Sequence, residues 1–243
     1  MLNLLLALSL SSAAHAQDIT AAEIVQRMDA NLVFDTRSSV TTLTVIKGKK
    51  VKTYEIDSYG RGTQDAALEF IAPQRDKGTK MLKKGGELWM YMPSIEKTQK
   101  ISGHMLRQGM MGSDFSYEDM METTELTKLY NTTLVGDELL GSTPCWKLEL
   151  TAIEDDTSYP RRVMWVDKAK AIPIKQELYA SSGRLVKTWA MAGIQEFDGR
   201  YYPTAMRIDS AVEAGSYTIA QFNELTFSIP LEDEVFNRRW LER

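Results

Sequence analysis

Val40-Thr41-Thr42-Leu43-Thr44-Val45-Ile46, the turn Gly48-Lys49-Lys50, and then residues 51–59 form the stretch that decides the fold. β-Branched residues dominate it, which favours a pleated, half-buried surface. Successive strand residues point to opposite faces, so Val40, Thr42, Thr44 and Ile46 share one face and Thr41, Leu43 and Val45 the other. The Gly-Lys-Lys triplet reverses the chain and makes the stretch a hairpin. The same signal continues at residues 66–71, 78–83, 87–92 and 98–101. A second series follows at 129–138, 145–153, 162–167, 173–180, 185–197, 200–212 and 216–228. Gly85-Gly86, Ser182-Gly183, Asp198-Gly199 and Ala214-Gly215 punctuate it as turns.

Short strands with short links and no βαβ rhythm predict a mainly β protein, built as an antiparallel barrel or sandwich. One helix precedes the strands. Thr20 with Glu23 is a capping box, and Ile24, Val25, Met28 and Leu32 recur at helical spacing. No linker rich in Pro, Gly or Ser divides the chain, which predicts a single domain over 17–243. Between Ser102 and Lys128 the alternation fails, and a loop with short helices is expected there.

Composition excludes several functions. The 243 residues carry 29 Lys+Arg against 33 Asp+Glu, a balance that argues against a dedicated nucleic-acid binder. With two His and one Cys, the chain lacks the ligand set of a zinc site, and no cofactor is expected. Residues 2–10 are an apolar run followed by Ala14-His15-Ala16, which reads as a secretory signal peptide over 1–16, cut after Ala16. His104 is then the one histidine of the mature chain. The expected product is a soluble periplasmic protein with transient membrane contact only. Cys145 lies in the apolar neighbourhood Pro144-Cys145-Trp146 and reads as a buried thiol.

The centre of the chain is rich in Met. Eight of the 13 Met residues lie between positions 81 and 121. Met fills irregular apolar space and adapts to varied partners, so the group reads either as core or as the lining of a binding surface. Leu88, Met90 and Met92 fall on one face of a strand and Trp89 and Tyr91 on the other. A strand apolar on both faces is either covered twice or offers an apolar surface with a use. Charge around it is uneven. Arg75, Lys77, Lys80, Lys83, Lys84, Lys97 and Lys100 crowd one stretch, and Asp114, Glu118, Asp119, Glu122 and Glu125 another. These read as solvated strand edges, as a rim meeting anionic head groups, or as patches that dock a partner. The acids fit no EF-hand. Ser113 or Asp114 is instead a candidate cap for a short helix beginning near Phe115. His104 has no nucleophile marked near it, and no catalytic residues are expected.

One stretch carries a family likeness: Gly85-Gly86-Glu87-Leu88-Trp89-Met90-Tyr91-Met92-Pro93, then residues 97–101, then Gln108-Gly109-Met110-Met111-Gly112-Ser113-Asp114-Phe115-Ser116-Tyr117-Glu118-Asp119-Met120. It resembles the outer-membrane lipoprotein-sorting proteins of the LolA/LolB type, in a branch associated with transporters of the resistance-nodulation-division type. The resemblance implies an open, strongly curved antiparallel sheet, an unclosed β-barrel with helices plugging its mouth. It implies a non-catalytic carrier that holds lipid or lipoprotein acyl chains in an apolar cavity. Under that reading Leu88, Met90, Met92, Met105, Leu106, Met110, Met111, Phe115 and Met120 form cavity and lid, and Lys80, Lys83 and Arg107 form the rim. A resistance-nodulation-division-type transporter or an outer-membrane acceptor is the implied partner. The alternative is a non-catalytic periplasmic adaptor that docks such a transporter.

Overall fold

The computed structural model describes residues 19–122, 126–154 and 157–243. The expected leader and its cleavage site lie outside these residues, as does Glu125. The first helix, α1 (Ala21–Leu32), is where its pattern predicts. The Thr20 hydroxyl accepts the Glu23 amide, and the Glu23 carboxylate accepts the Thr20 amide at 2.7 Å. Both are amides that a helix start otherwise leaves unpaired. Ile24, Val25 and Met28 give the helix its buried face.

Thirteen strands follow: β1 (Thr36–Lys47), β2 (Lys50–Arg61), β3 (Asp65–Ala72), β4 (Lys80–Lys84), β5 (Glu87–Met92), β6 (Lys97–Ile101), β7 (Tyr130–Leu140), β8 (Thr143–Ala152), β9 (Arg161–Asp167), β10 (Ile172–Tyr179), β11 (Leu185–Phe197), β12 (Arg200–Ser210) and β13 (Ser216–Phe227). Each strand candidate in the sequence corresponds to one of them. They form one antiparallel sheet in the order β6-β5-β4-β3-β2-β1-β13-β12-β11-β10-β9-β8-β7. Among the described residues β6 and β7 do not pair, so the sheet is not closed into a barrel. The open sheet implied by the resemblance is found, rather than the closed barrel or sandwich that strand spacing alone suggests.

This order fixes the role of the irregular segment. The chain starts at the centre of the sheet, where β1 pairs with both β2 and β13. It meanders outward to the edge strand β6, and later meanders back from the other edge, β7, to the centre. Residues 102–129 must therefore cross from one edge of the sheet to the other. A segment that crosses a sheet face cannot also pair as a strand, which is why alternation fails there. The crossing consists of two 3₁₀ turns (Gly103–Arg107 and Met110–Gly112) and the short helices α2 (Tyr117–Met121) and α3 (Leu126–Leu129).

The two faces of the sheet are covered differently. On the inner face, the crossing segment packs Met110 and Tyr117 against Leu43, Tyr54, Phe70, Met81, Leu88 and Met90. Beside it, α1 packs Ile24, Val25 and Met28 against Trp146, Leu148, Leu150, Met164 and Val166. Full burial of such side chains stabilises by about 1.5–3 kcal/mol each. On the outer face, the C-terminal segment lays Phe236 of the 3₁₀ turn Asp233–Phe236 and Leu241 of α4 (Arg238–Leu241) over Ala67, Leu82, Trp89 and Tyr91. The doubly apolar strand β5 is thus covered on both sides within the chain.

Candidate ligand cavity

Where the crossing segment and the end of α1 fail to meet, a cavity of about 360 Å³ remains over β1–β3 and β11–β13. That is near the small end of the ~300–1,000 Å³ typical of small-molecule sites. Its wall has two zones. The apolar zone includes Leu43, Ile56, Leu68, Met110, Phe115, Met120, Trp189, Met191, Met206, Ile208, Ala220 and Phe222. The polar zone includes Arg37, Ser39, Thr41, Ser58, Thr63, Asp65, Lys83, Asp119 and Glu122. The Trp189 indole N–H is buried with no hydrogen-bond partner among the described residues, on a side chain that lines the space.

Strand alternation places these groups. On β1, every second residue turns inward: Arg37, Ser39, Thr41, Leu43 and Val45, apolar at one end and polar at the other. Arg37 is exposed, while Ser39 and Thr41 are buried. The Ser39 and Ser58 hydroxyls of neighbouring strands lie 2.8 Å apart. The Arg37 guanidinium donates to the Tyr202 hydroxyl at 2.7 Å. Lys83 points inward from β4, is buried, and donates to the Thr63 carbonyl at 2.9 Å. Burial lowers the Lys83 pKa, and the nearby Arg37 lowers it further, while Asp65 and Glu122 oppose that fall.

The acids of the crossing segment fasten it down. The Ser216 and Thr218 hydroxyls donate to the Asp114 carboxylate at 2.7 and 2.8 Å. Lys187 of β11 donates to Asp119 at 2.7 Å and to the Asp114 carbonyl at 3.0 Å. Arg162 of β9 pairs with Glu122 and donates to the Tyr130 hydroxyl at 2.9 Å. Ser158 donates to Glu118. The expected helix cap moves: Ser113 and Asp114 do not start α2. Ser116 does, in a capping box with Asp119, because Ser113 and Asp114 sit in the preceding turn and bond elsewhere. Among the described residues no cluster of His, Cys, Asp and Glu could hold a metal ion.

The residues singled out in the sequence separate into four places. Met110, Phe115, Met120 and Lys83 line the cavity. Leu88 and Met90 are buried in the adjoining core, with Met92, Met105, Leu106 and Met111 packed against it. Lys80 lies on the opposite face of β4 from Lys83. There its ammonium donates to the carbonyls of Trp240 and Arg243 at 3.2 and 2.9 Å and so holds the C-terminal segment. Lys84 does the same through the Phe236 carbonyl at 2.9 Å. Arg107 and His104 are exposed on the crossing segment. Cys145 is buried, and burial raises its thiol pKa.

A family model described as "uncharacterized protein", -like, matches residues 62–243. The chain belongs to that family, and its fold is LolA-like. A DUF1329 family protein from Desulfovibrio piger is similar at a TM-score of 0.85 and 26% identity, over 91% of this chain and 97% of its own. A domain from Vibrio parahaemolyticus described as an outer membrane lipoprotein-sorting protein is similar at 0.83 and 23%, over 92% and 98%. A LolA superfamily protein from Nitrosomonas europaea is similar at 0.76 and 22%, over 91% and 99%. No curated protein matches the chain. The likeness read from residues 78–120 therefore holds for the fold.

Much of the cavity comes from residues that sequence reading did not single out: Arg37, Ser39, Thr41, Trp189, Met191, Met206, Ala220 and Phe222. One signal for them was present. The inward phase of β1 that carries Leu43 and Val45 continues into Thr41, Ser39 and Arg37, so the buried face turns polar toward one end. The strands β11–β13 carry no such mark, because their nearness to β1 is a product of topology.

Proposed function

We propose that this protein is a periplasmic carrier or binder of lipid or lipoprotein acyl chains, without catalytic residues, serving lipoprotein sorting or lipid transport at the outer membrane. The observation that carries the reading is the cavity of about 360 Å³ between an open sheet and its crossing segment, lined in large part by Leu, Ile, Met and aromatic side chains. An acyl chain gains about 0.8 kcal/mol for each methylene removed from water, so such a wall offsets the barrier to moving a chain through an aqueous compartment. Met110 and Met120 supply an adaptable surface on a segment that is fastened by discrete polar contacts rather than built into the sheet. The LolA-like fold and the lipoprotein-sorting description of the Vibrio domain support the same reading.

A transporter of the resistance-nodulation-division type is the proposed partner. The docking alternative rests on the two apolar faces of β5 and on the split charge around it, and both faces are covered by the chain itself. The test is direct. The mature protein is purified without detergent, extracted for mass spectrometry, and titrated with a fluorescent long-chain fatty acid. Co-purified lipid or saturable uptake is expected. Absence of both would remove the carrier function.

A further inference from the structure

Three acids line the cavity, and each is in an ion pair, with Arg61 shared between Asp65 and Asp233. Asp65 pairs with Arg61 at 2.8 Å, Asp119 with Lys187 at 2.7 Å, and Glu122 with Arg162. The cations Lys83 and Arg37 line the same space and are in no ion pair among the described residues. They are the cations of the polar end that have no ion-pair partner among those residues, and the nearby Asp65 and Glu122 offset the Lys83 charge only in part.

Lys83 is the sharper of the two. It is 4% exposed. An ammonium has three N–H donors, and among the described residues Lys83 donates one hydrogen bond, to the Thr63 carbonyl. Holding a cation out of water without a counter-charge is unfavourable, so buried charges are ordinarily paired. A methionine would fill the same volume without that cost. The position makes sense when the counter-charge arrives with a ligand. Arg37 stands nearer the mouth, and the Ser39 and Ser58 hydroxyls lie in the same polar zone. Beyond them the wall becomes apolar at Leu43 and Ile56.

We infer that the cavity takes a single-tailed anionic amphiphile, its carboxylate or phosphate head held by Lys83 and Arg37 and its tail along Met110, Phe115 and Met120. This deepens the carrier function and rests on it. The two zones match the two ends of such a molecule, and the small volume suits one tail. A neutral lipid would leave the Lys83 charge unanswered. A free anion would leave the apolar wall unused.

The test uses three probes on the mature protein: a fluorescent long-chain fatty acid, its methyl ester, and dodecyl phosphate. The acid and the alkyl phosphate should bind about tenfold or more tightly than the ester, the scale of one charge-assisted hydrogen bond. Lys83→Met should reduce acid binding roughly tenfold and leave the ester nearly unchanged, since the charge and not the wall is altered. Arg37→Gln, at an exposed position, should act in the same direction. Inorganic phosphate in large excess should not displace the acid. Equal binding of acid and ester, equal loss of both in Lys83→Met, or displacement by inorganic phosphate would overturn the head-group assignment while leaving a carrier. Failure of every probe, the ester included, would overturn the carrier function itself.

Discussion

The Lys187 ammonium of β11 lies 2.7 Å from an Asp119 carboxylate oxygen of the crossing segment, and both side chains are buried. The same carboxylate accepts the Tyr159 hydroxyl at 3.0 Å and the Ser116 amide at 2.7 Å. One acid thus caps a helix, pairs with a cation and ties the segment to the sheet. Burial, and then the Asp119 charge, raise the Tyr159 pKa, so that phenol stays a donor across the ordinary pH range. Asp119→Ala should destabilise by about 3–5 kcal/mol, because it strands a buried ammonium. Asp119→Ala combined with Lys187→Met should cost less than the sum of the two single changes. Urea unfolding of all four proteins measures the coupling, and a value near zero would mean the pair does not fasten the segment.

The loop that leads into α2 is tighter than its sequence suggests. Gly109 has an ordinary φ of −69°, so it is not there for backbone freedom. It is there for space: a Cβ would lie 1.9 Å from the Ser113 carbonyl oxygen. The Met110 amide closes the same loop by donating to the Phe115 carbonyl at 2.8 Å. Gly109→Ala should cost about 1–3 kcal/mol, the usual range for forcing atoms into filled space. It should also speed proteolysis between Ser102 and Leu129. Gly86→Ala is the control, since a Cβ there meets nothing within 4 Å. Identical melting temperatures for the two variants would contradict the close approach.

Strand positions were legible because alternation is a local signal: Thr41, Leu43 and Val45 declare a buried face without reference to any partner. The order of the strands was not. Nothing between Ile101 and Tyr130 states that the chain crosses the sheet, although the loss of alternation marks where it leaves it. The acids of the crossing segment were visible but not their meaning, because their partners Arg162 and Lys187 lie 40 and 68 residues from Glu122 and Asp119. Lys80 and Lys83 looked like one basic rim. The odd spacing of three puts them on opposite faces of β4, one holding the C-terminal segment and one facing the cavity.

Lys83 should make the protein less stable than it could be. Its folded pKa is lowered by burial, while an unfolded lysine titrates near ~10.4. Between those two values the unfolded state binds more protons, so stability rises with pH there. Below both values the ammonium is present in both states, and the full desolvation cost is felt. Around it, Arg37 adds to that cost and Asp65 and Glu122 relieve it. Lys83→Met should therefore stabilise the ligand-free protein by roughly 1 kcal/mol at pH 7. The gain should shrink as pH approaches 10. A variant less stable than wild type at pH 7, with the same pH slope, would place Lys83 among structural contacts instead.

Filling the cavity separates binding from folding more cleanly than inserting charge. Met90→Asp tests little, because Met90 is in the packed core and the Tyr117 hydroxyl lies 3.7 Å from its sulfur. A carboxylate there would unfold the domain rather than report on a ligand. Ala220 is a better position. It sits on β13 opposite Leu43 of β1, lines the cavity, and is only partly buried. Ala220→Trp would place an indole in space now unfilled, so its folding cost should be small, within about 1 kcal/mol of wild type in either direction. Fatty-acid uptake should fall tenfold or more, because the tail and the indole need the same volume. Thermal melting checks the first expectation and fluorescence titration the second. A stable Ala220→Trp protein that binds the probe as wild type does would mean that the acyl chain is held somewhere else on the molecule.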